Sequence, residues 1–521
     1  MPSEMQLGAG AQPATAAFLW RRELAAYPDT AARRGHLLLV FVCTVALYYE
    51  LYVGGGVAPL LLGDLRIPFS DFVFILAFGN LAGAFASLFA GLTDRMGRAN
   101  LVVAGLFVVG LLTAGVIPNV HSQSSYALAY GAVAFVEGII LVATPALIRD
   151  FSPQVGRATA LGFWAASAVA GSFMVSMIAS YSLPLYRTWQ SQYFFAGSFG
   201  LVVFVLALFA LRELSPALRD QLMVSERDRA LVEARAKGLD IEAALKNPWR
   251  QMMHADIIIS ALGVSVFLLF YITCAVFGTI YLTTVFRFTI AQANAIANWN
   301  WGFNAPALVL GGMLSDRLRV RKPVMLIGGI GACLMVVGYL RVAGSPDAYE
   351  TIVAYTVGQA ILGGAAYSAW MAGFTETVEA RNPALTATGL AVWGWIARVV
   401  FTMCFLLVPM VITSVTPLVS APFYLGQLQA AQAAHLAPGA DLLAHLQAIQ
   451  AAAASAPAQW RIWYWACAAG MVFFIVSIFT MRGRWSPAAA KADGKAHDAE
   501  VARQLALLAE TGARRGTMLD R

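Results

Sequence analysis

Charge is what this 521-residue chain has least of: Asp, Glu, Lys and Arg together make up 12% of it, about half the share of an ordinary soluble domain. So little charge cannot cover a large water-facing surface, which excludes an ordinary soluble enzyme fold. Cysteine is scarce as well. Cys43, Cys274, Cys333, Cys404 and Cys467 have neither metal-site nor disulfide-scaffold spacing, which leaves them as small core hydrophobes. No Gly-x-x-x-x-Gly-Lys-[Ser/Thr] phosphate loop occurs, so nothing indicates direct use of ATP. No nucleophile–base constellation marks an enzyme, and the expected complement of cofactors and metals is none. The first 35 residues hold Arg21, Arg22, Arg33 and Arg34 without a separate apolar core. They read as a cytosolic tail and not as a cleaved signal peptide.

Apolar residues are abundant, at 59% of the chain, and mean hydropathy is +0.68. Crossing a bilayer takes about 20 mostly apolar residues per helix. Twelve such runs lie near 36–62, 70–92, 99–117, 124–148, 158–181, 191–211, 256–286, 291–314, 323–341, 350–374, 385–412 and 460–481. The expected fold is an all-α polytopic membrane protein with twelve transmembrane helices. By these boundaries 29 of the 35 Lys and Arg fall in the two tails and the even-numbered loops, five fall in or at the edge of odd-numbered loops, and Arg398 lies inside a span. The positive-inside rule then puts both termini in the cytoplasm, with the protein in the cell (inner) membrane. The basic pI of 9.2 follows from that asymmetry and calls for lipid, not nucleic acid, as the partner.

The chain divides into a tail (1–35), six spans (36–212), a hydrophilic middle (213–255), six more spans (256–481) and a polar tail (482–521). In the middle segment Glu233 and Lys237 stand at i,i+4 and Leu218, Leu222, Leu231 and Ala234 recur at helical spacing, as in an amphipathic cytosolic linker. An outer loop, 413–459, has no Lys or Arg, and its Ala/Gln/Leu-rich stretch 425–456 favours helix.

The halves repeat. Gly91-Leu92-Thr93-Asp94-Arg95-Met96-Gly97-Arg98 is echoed 222 residues later by Gly312-Met313-Leu314-Ser315-Asp316-Arg317. Thr159-Ala160-Leu161-Gly162 is echoed by Thr386-Ala387-Thr388-Gly389, an offset of 227. Parallel six-span repeats build one architecture of secondary transporters, two pseudo-symmetric six-helix bundles. In the first loop a carboxylate can accept from helix N-terminal amides, Gly97 permits a tight turn, and the arginines can bridge to Asp150. Asp94, Arg95, Gly97, Arg98, Asp150, Asp316 and Arg317 are therefore candidates for a cytoplasmic gate that breaks and remakes during transport.

On these residues the chain resembles the major facilitator superfamily across 36–481. That family's signature between spans two and three runs Gly-x-Leu-x-Asp-Arg-x-Gly-Arg; Leu92, Asp94, Arg95, Gly97 and Arg98 match it, while Ala90 stands at the first glycine. Gly312, Leu314, Asp316 and Arg317 match in the second copy, with Arg319 in place of the glycine. The span-four arginine often found in the family is Ala134 here, and span five lacks the Gly-Pro pattern of proton-driven drug exporters. The resemblance implies alternating access between two bundles.

Three ionisable residues sit near mid-span: Glu50, Glu137 and Arg398. Each costs about 2.5–3.5 kcal/mol at the bilayer centre unless it meets a cavity or a partner. Glu50 is flanked by Tyr48, Tyr49 and Tyr52 and followed by Gly54-Gly55-Gly56, where span one can bend or unwind. In several proton-coupled branches of the resembled family an acid in span one carries the proton, so Glu50 and Glu137 are candidates for coupling; a structural ion pair or hydrogen bond is the alternative. Arg398 suits a carboxylate or phosphate ligand, or a fixed ion pair with Glu50 or Glu137. Supporting candidates for the substrate site are Tyr49, Asn80, Trp164, Asn304, Gln359 and Trp370, with Asn298, Asn300 and Tyr367 nearby. A small-residue stripe, Gly79, Gly83, Ser87 and Gly91, lets another helix approach span two and is expected where one half slides on the other. The reading is a monomeric secondary transporter that moves a small organic anion together with protons. A carrier of a neutral solute or drug and a non-transporting nutrient receptor are the rivals.

Overall fold

In hydrocarbon no water can satisfy a backbone amide, so each apolar run closes its hydrogen bonds on itself as a helix. The computed structural model describes residues 21–87, 97–152, 157–215, 218, 248–342, 349–382 and 385–489, with 491, 492, 496, 499 and 503 beyond. Span one is Thr30–Leu65, span two Phe69–Ser87, span four Gln123–Phe151, span five Arg157–Tyr186 and span six Trp189–Ala210. Span three, Arg98–Leu111, runs on through a π turn, Leu112–Val116, and a 3-10 turn, Ile117–Asn119. There Pro118 removes a backbone donor and ends the helix. Span seven is broken at Leu268 into Ala255–Phe267 and Leu269–Val285; spans eight to eleven are Ile290–Leu318, Lys322–Arg341, Tyr349–Arg381 and Thr386–Val411. Span twelve, Ala440–Ser477, begins 20 residues before its apolar run. Ten of the spans are long and apolar enough to cross a membrane. The other two, spans eight and ten, are 29 and 33 residues long and carry more polar side chains. Phe85 (65% exposed), Leu128 (76%) and Met410 (76%) stand bare on the outside, as a lipid-covered belt requires.

Spans one to six pack on one another, as do spans seven to twelve, and the bundles meet where span one crosses seven, two crosses eleven and five crosses eight. Exchanging the halves maps the last two pairs onto each other. A further trace of the duplication is conformational. Arg66 (φ 51°) and Arg287 (φ 59°) both end a span in the left-handed region, 221 positions apart. Odd-numbered spans run from a near face, which holds Arg22 and the start of span three at Arg98, to a far face.

Two expectations are corrected. Span one runs unbroken through Gly54-Gly55-Gly56, because those glycines serve close packing: a Cβ on Gly55 would strike the carbonyl of Ala275 in span seven. The described part of the span-two stripe, Gly79 and Gly83, packs on span four of its own bundle, against Tyr130, Ala134 and Gly138. It is not the sliding surface; Gly91 lies outside the described residues. The loop 413–459 is a helical hairpin, made of a separate helix Val415–Ala433 and the extended start of span twelve.

The polar segments also meet unexpectedly. Glu23–Leu24 pairs in parallel with Glu213–Leu214, and Arg22, 2% exposed, donates to the carbonyls of Ala207, Leu208 and Leu211 at the end of span six. The Ala207 carbonyl also accepts from the Leu211 amide at 3.0 Å, and a guanidinium suits the last carbonyls of a helix and the negative end of its dipole. Burial and the nearby Arg212 lower the pKa of Arg22 below the ordinary arginine value, with Glu213 opposing them.

Candidate functional site

Mid-membrane, between the bundles, polar side chains converge from five spans. Tyr48 and Tyr52 project from one face of span one, four residues apart, with ring centroids 5.6 Å from each other. Tyr48 is within electrostatic reach of Glu137 in span four, Tyr271 in span seven and Arg398 in span eleven. Tyr367 in span ten is within reach of Tyr48 and Tyr271. All but Glu137 are half-buried. Behind Tyr367 stands an aromatic wall: Trp370 stacks on it at 6.1 Å, and Trp393 meets Trp370 at 5.3 Å.

Helix geometry separates the two acids. At about 100° per residue, Glu50 is roughly 200° around span one from Tyr48, so the two cannot face one cavity. Glu50 and Tyr49 turn into their own bundle: Tyr49 packs on Phe199 at 6.0 Å, and a Cβ on Gly200 would strike the Glu50 carboxyl. Glu137 is the acid within reach of Tyr48 and Tyr52. Both carboxyls are 2% exposed, and none of their four oxygens accepts a hydrogen bond. The two are within electrostatic reach of each other. Arg398 forms no ion pair with either. Its aromatic neighbour is Tyr48 from the opposite bundle, since Trp395 is turned outward at 51% exposure.

The supporting polar residues fall into two groups. Asn80 joins the halves, donating to Thr402 Oγ1 at 2.9 Å, while that hydroxyl donates to the Arg398 carbonyl at 2.8 Å. Asn294 donates to the Gly56 carbonyl at 2.9 Å and Asn298 to Ser180 Oγ at 2.8 Å. These last two bonds lie toward the far face. By contrast, Trp164 donates to Thr144 Oγ1, Asn304 to the Ala360 carbonyl and Trp370 to Ser260 Oγ, each inside its own bundle. Gln359 is half-buried in span ten, with its amide against Gly363, and Asn300 is buried in span eight.

At the near face the start of span three is held by Arg98. Its Nη1 lies 2.8 Å from both oxygens of Asp150. Gly97 has φ 87°, a region that side chains disfavour. Glu213 accepts from the Arg98 amide at 2.8 Å and caps span three. Asp94 and Arg95 lie outside the described residues. The second copy departs from its sequence reading. Asp316 pairs with Arg321, which also holds Glu376 at 2.9 Å, while the exposed Arg317 is not its partner. Arg319 takes the left-handed turn, at φ 56°. One extra residue precedes Arg321, so the counterpart of Arg98 and Asp150 is Arg321 and Glu376, at offsets of 223 and 226. The 222–227 spacing of the other repeats pointed to both. Glu213 and Arg22 had no such signal.

A sequence model of the Major Facilitator Superfamily matches residues 40–299. The chain belongs to that superfamily. Among curated proteins no sequence match was found. Solved structures share the fold. One is a bacterial homolog of the human lysosomal transporter Spinster, inward-facing and occupied, at TM-score 0.59 and 16% identity, over 87% of this chain and 97% of that one. The same homolog, inward-facing and unoccupied, gives 0.58 and 15%, over 87% and 98%. The xylose transporter XylE from E. coli, partially occluded and inward open, gives 0.53 and 14%, over 73% and 97%. This major facilitator protein is a membrane transporter and not an enzyme.

Proposed function

We propose that this transporter moves a small organic anion together with protons across the cell (inner) membrane, by alternating access, with both termini in the cytoplasm. One observation carries the reading. Arg398, half-buried between the bundles, has no carboxylate partner among the described residues, while two buried carboxyls in the opposite bundle have no hydrogen bonds. An unpaired guanidinium suits a carboxylate cargo. A buried carboxyl without partners is cheapest in its neutral, proton-carrying form. Coupling then follows from like-charge repulsion. With Glu137 protonated, an anion can sit near Tyr48 and Arg398; once Glu137 loses its proton to the cytoplasm, its charge opposes the cargo and favours release. Glu50, behind it, serves as the second proton holder. The near face carries most of the Lys and Arg, which supports its cytoplasmic side. The halves join at the far side through Asn294 and Asn298, in keeping with an inward-open state.

In proteoliposomes, Glu50→Gln and Glu137→Gln should each abolish accumulation driven by an imposed pH gradient while anion counterflow continues. Undiminished pH-driven accumulation in both variants would sink the mechanism. The hydroxyl-rich lining of Tyr48, Tyr52, Tyr271 and Tyr367 also suits a neutral polar solute. Arg398→Lys decides between them: an anion site should lose at least tenfold in affinity, and a neutral-solute site should keep it.

A further inference from the structure

The hairpin between spans eleven and twelve has no part in the site, yet it touches both halves. Its helix, Val415–Ala433, is anchored to the second half: Gln459 of span twelve accepts from the amides of Thr413 and Ser414 and donates to Thr413 Oγ1, and Val415 is fully buried. One helical face then reaches over the first half. Thr416 Oγ1 accepts from the Phe69 amide at 2.9 Å, an orphan donor at the start of span two. Val419 lies over Gly63 near the end of span one, 3.6–3.8 Å from where a Cβ would stand. The Arg66 guanidinium sits 4.6 Å over the Phe423 ring. Positions 416, 419 and 423 are spaced i, i+3, i+7, so a single stripe makes all three contacts.

We propose that Val415–Ala433 is the far-side gate of the transport cycle, a helix carried by the second half that clasps the ends of spans one and two and must release them before the far side opens. The proposal rests on the alternating-access reading above. A hydrogen bond of 2.9 Å and a ring contact of 4.6 Å are lost once the bundle ends part by a few ångströms. Below the clasp, the close approach of Gly55 to Ala275 and the Asn294–Gly56 bond separate in the same motion.

The test needs no substrate. Spin labels on ketone-bearing residues introduced at Arg187 and Glu350, exposed far-face ends of spans five and ten, report whether the far side is closed or open. Thr416→Val combined with Phe423→Ala should raise the long-distance fraction at least threefold. The pair Gly63→Cys and Val419→Cys, oxidised to a disulfide, should remove that fraction, and dithiothreitol should restore it. A long-distance fraction that persists after the cross-link has closed overturns the gate alone. A single distance in the wild type and in every variant overturns alternating access, and the gate with it.

Discussion

The near-face clusters of the two halves descend from the same place in the repeat and have become physically different. Arg98 and Asp150 have side chains only 11% and 6% exposed, beside a glycine turn and under the Glu213 cap. Arg321 is 17% exposed, but its partners Glu376 and Asp316 are 49% and 65% exposed, beside a left-handed Arg319. Burial removes the water that screens a charge pair, so the first cluster is costly to break, whereas the second works at the scale of a surface ion pair. Duplication has thus left one buried charge cluster and one exposed one.

The contrast is tested most strongly by breaking each pair. Asp150→Asn removes one charge of a buried ion pair and should cost about 3 kcal/mol, seen as a clear drop in Tm in detergent. Gly97→Ala, at φ 87° and against the Glu213 carboxyl, should cost about 1–2 kcal/mol. Its mirror, Arg319→Gly, relieves a left-handed side chain and should raise Tm slightly or leave it unchanged. A loss of stability in Arg319→Gly would show that the second turn is held by contacts of the Arg319 side chain. Smallest of all, Glu376→Gln should cost about 0–1 kcal/mol and lose its effect at high salt. If Glu376→Gln proves as damaging as Asp150→Asn, the two clusters are equivalent after all.

The number of spans and the duplication were legible because lipid imposes a length and an apolarity on every helix. Which face each side chain takes was only partly so. The 100° step alone separates Glu50 from Tyr48, yet the pairing of Tyr49 with Phe199 depends on how span six packs. Asp316 pairs with Arg321 and not with its sequence neighbour Arg317, because one added residue shifts the register. The helical tendency of the outer segment was readable from its alanines and glutamines. Its seat over Gly63 and Phe69 was not, since contacts more than 300 residues apart leave no local pattern. The same holds for Arg22 reaching the end of span six.

The central claim is that Arg398 holds an anion while a proton moves with it. Its most direct measurement is proton uptake into proteoliposomes of the purified protein on addition of small organic acids, read with an internal pH dye. The account predicts that at least one carboxylate drives proton entry and that Arg398→Ala abolishes it. Proton entry that survives Arg398→Ala unchanged, or cargo flux with no proton movement, would contradict it.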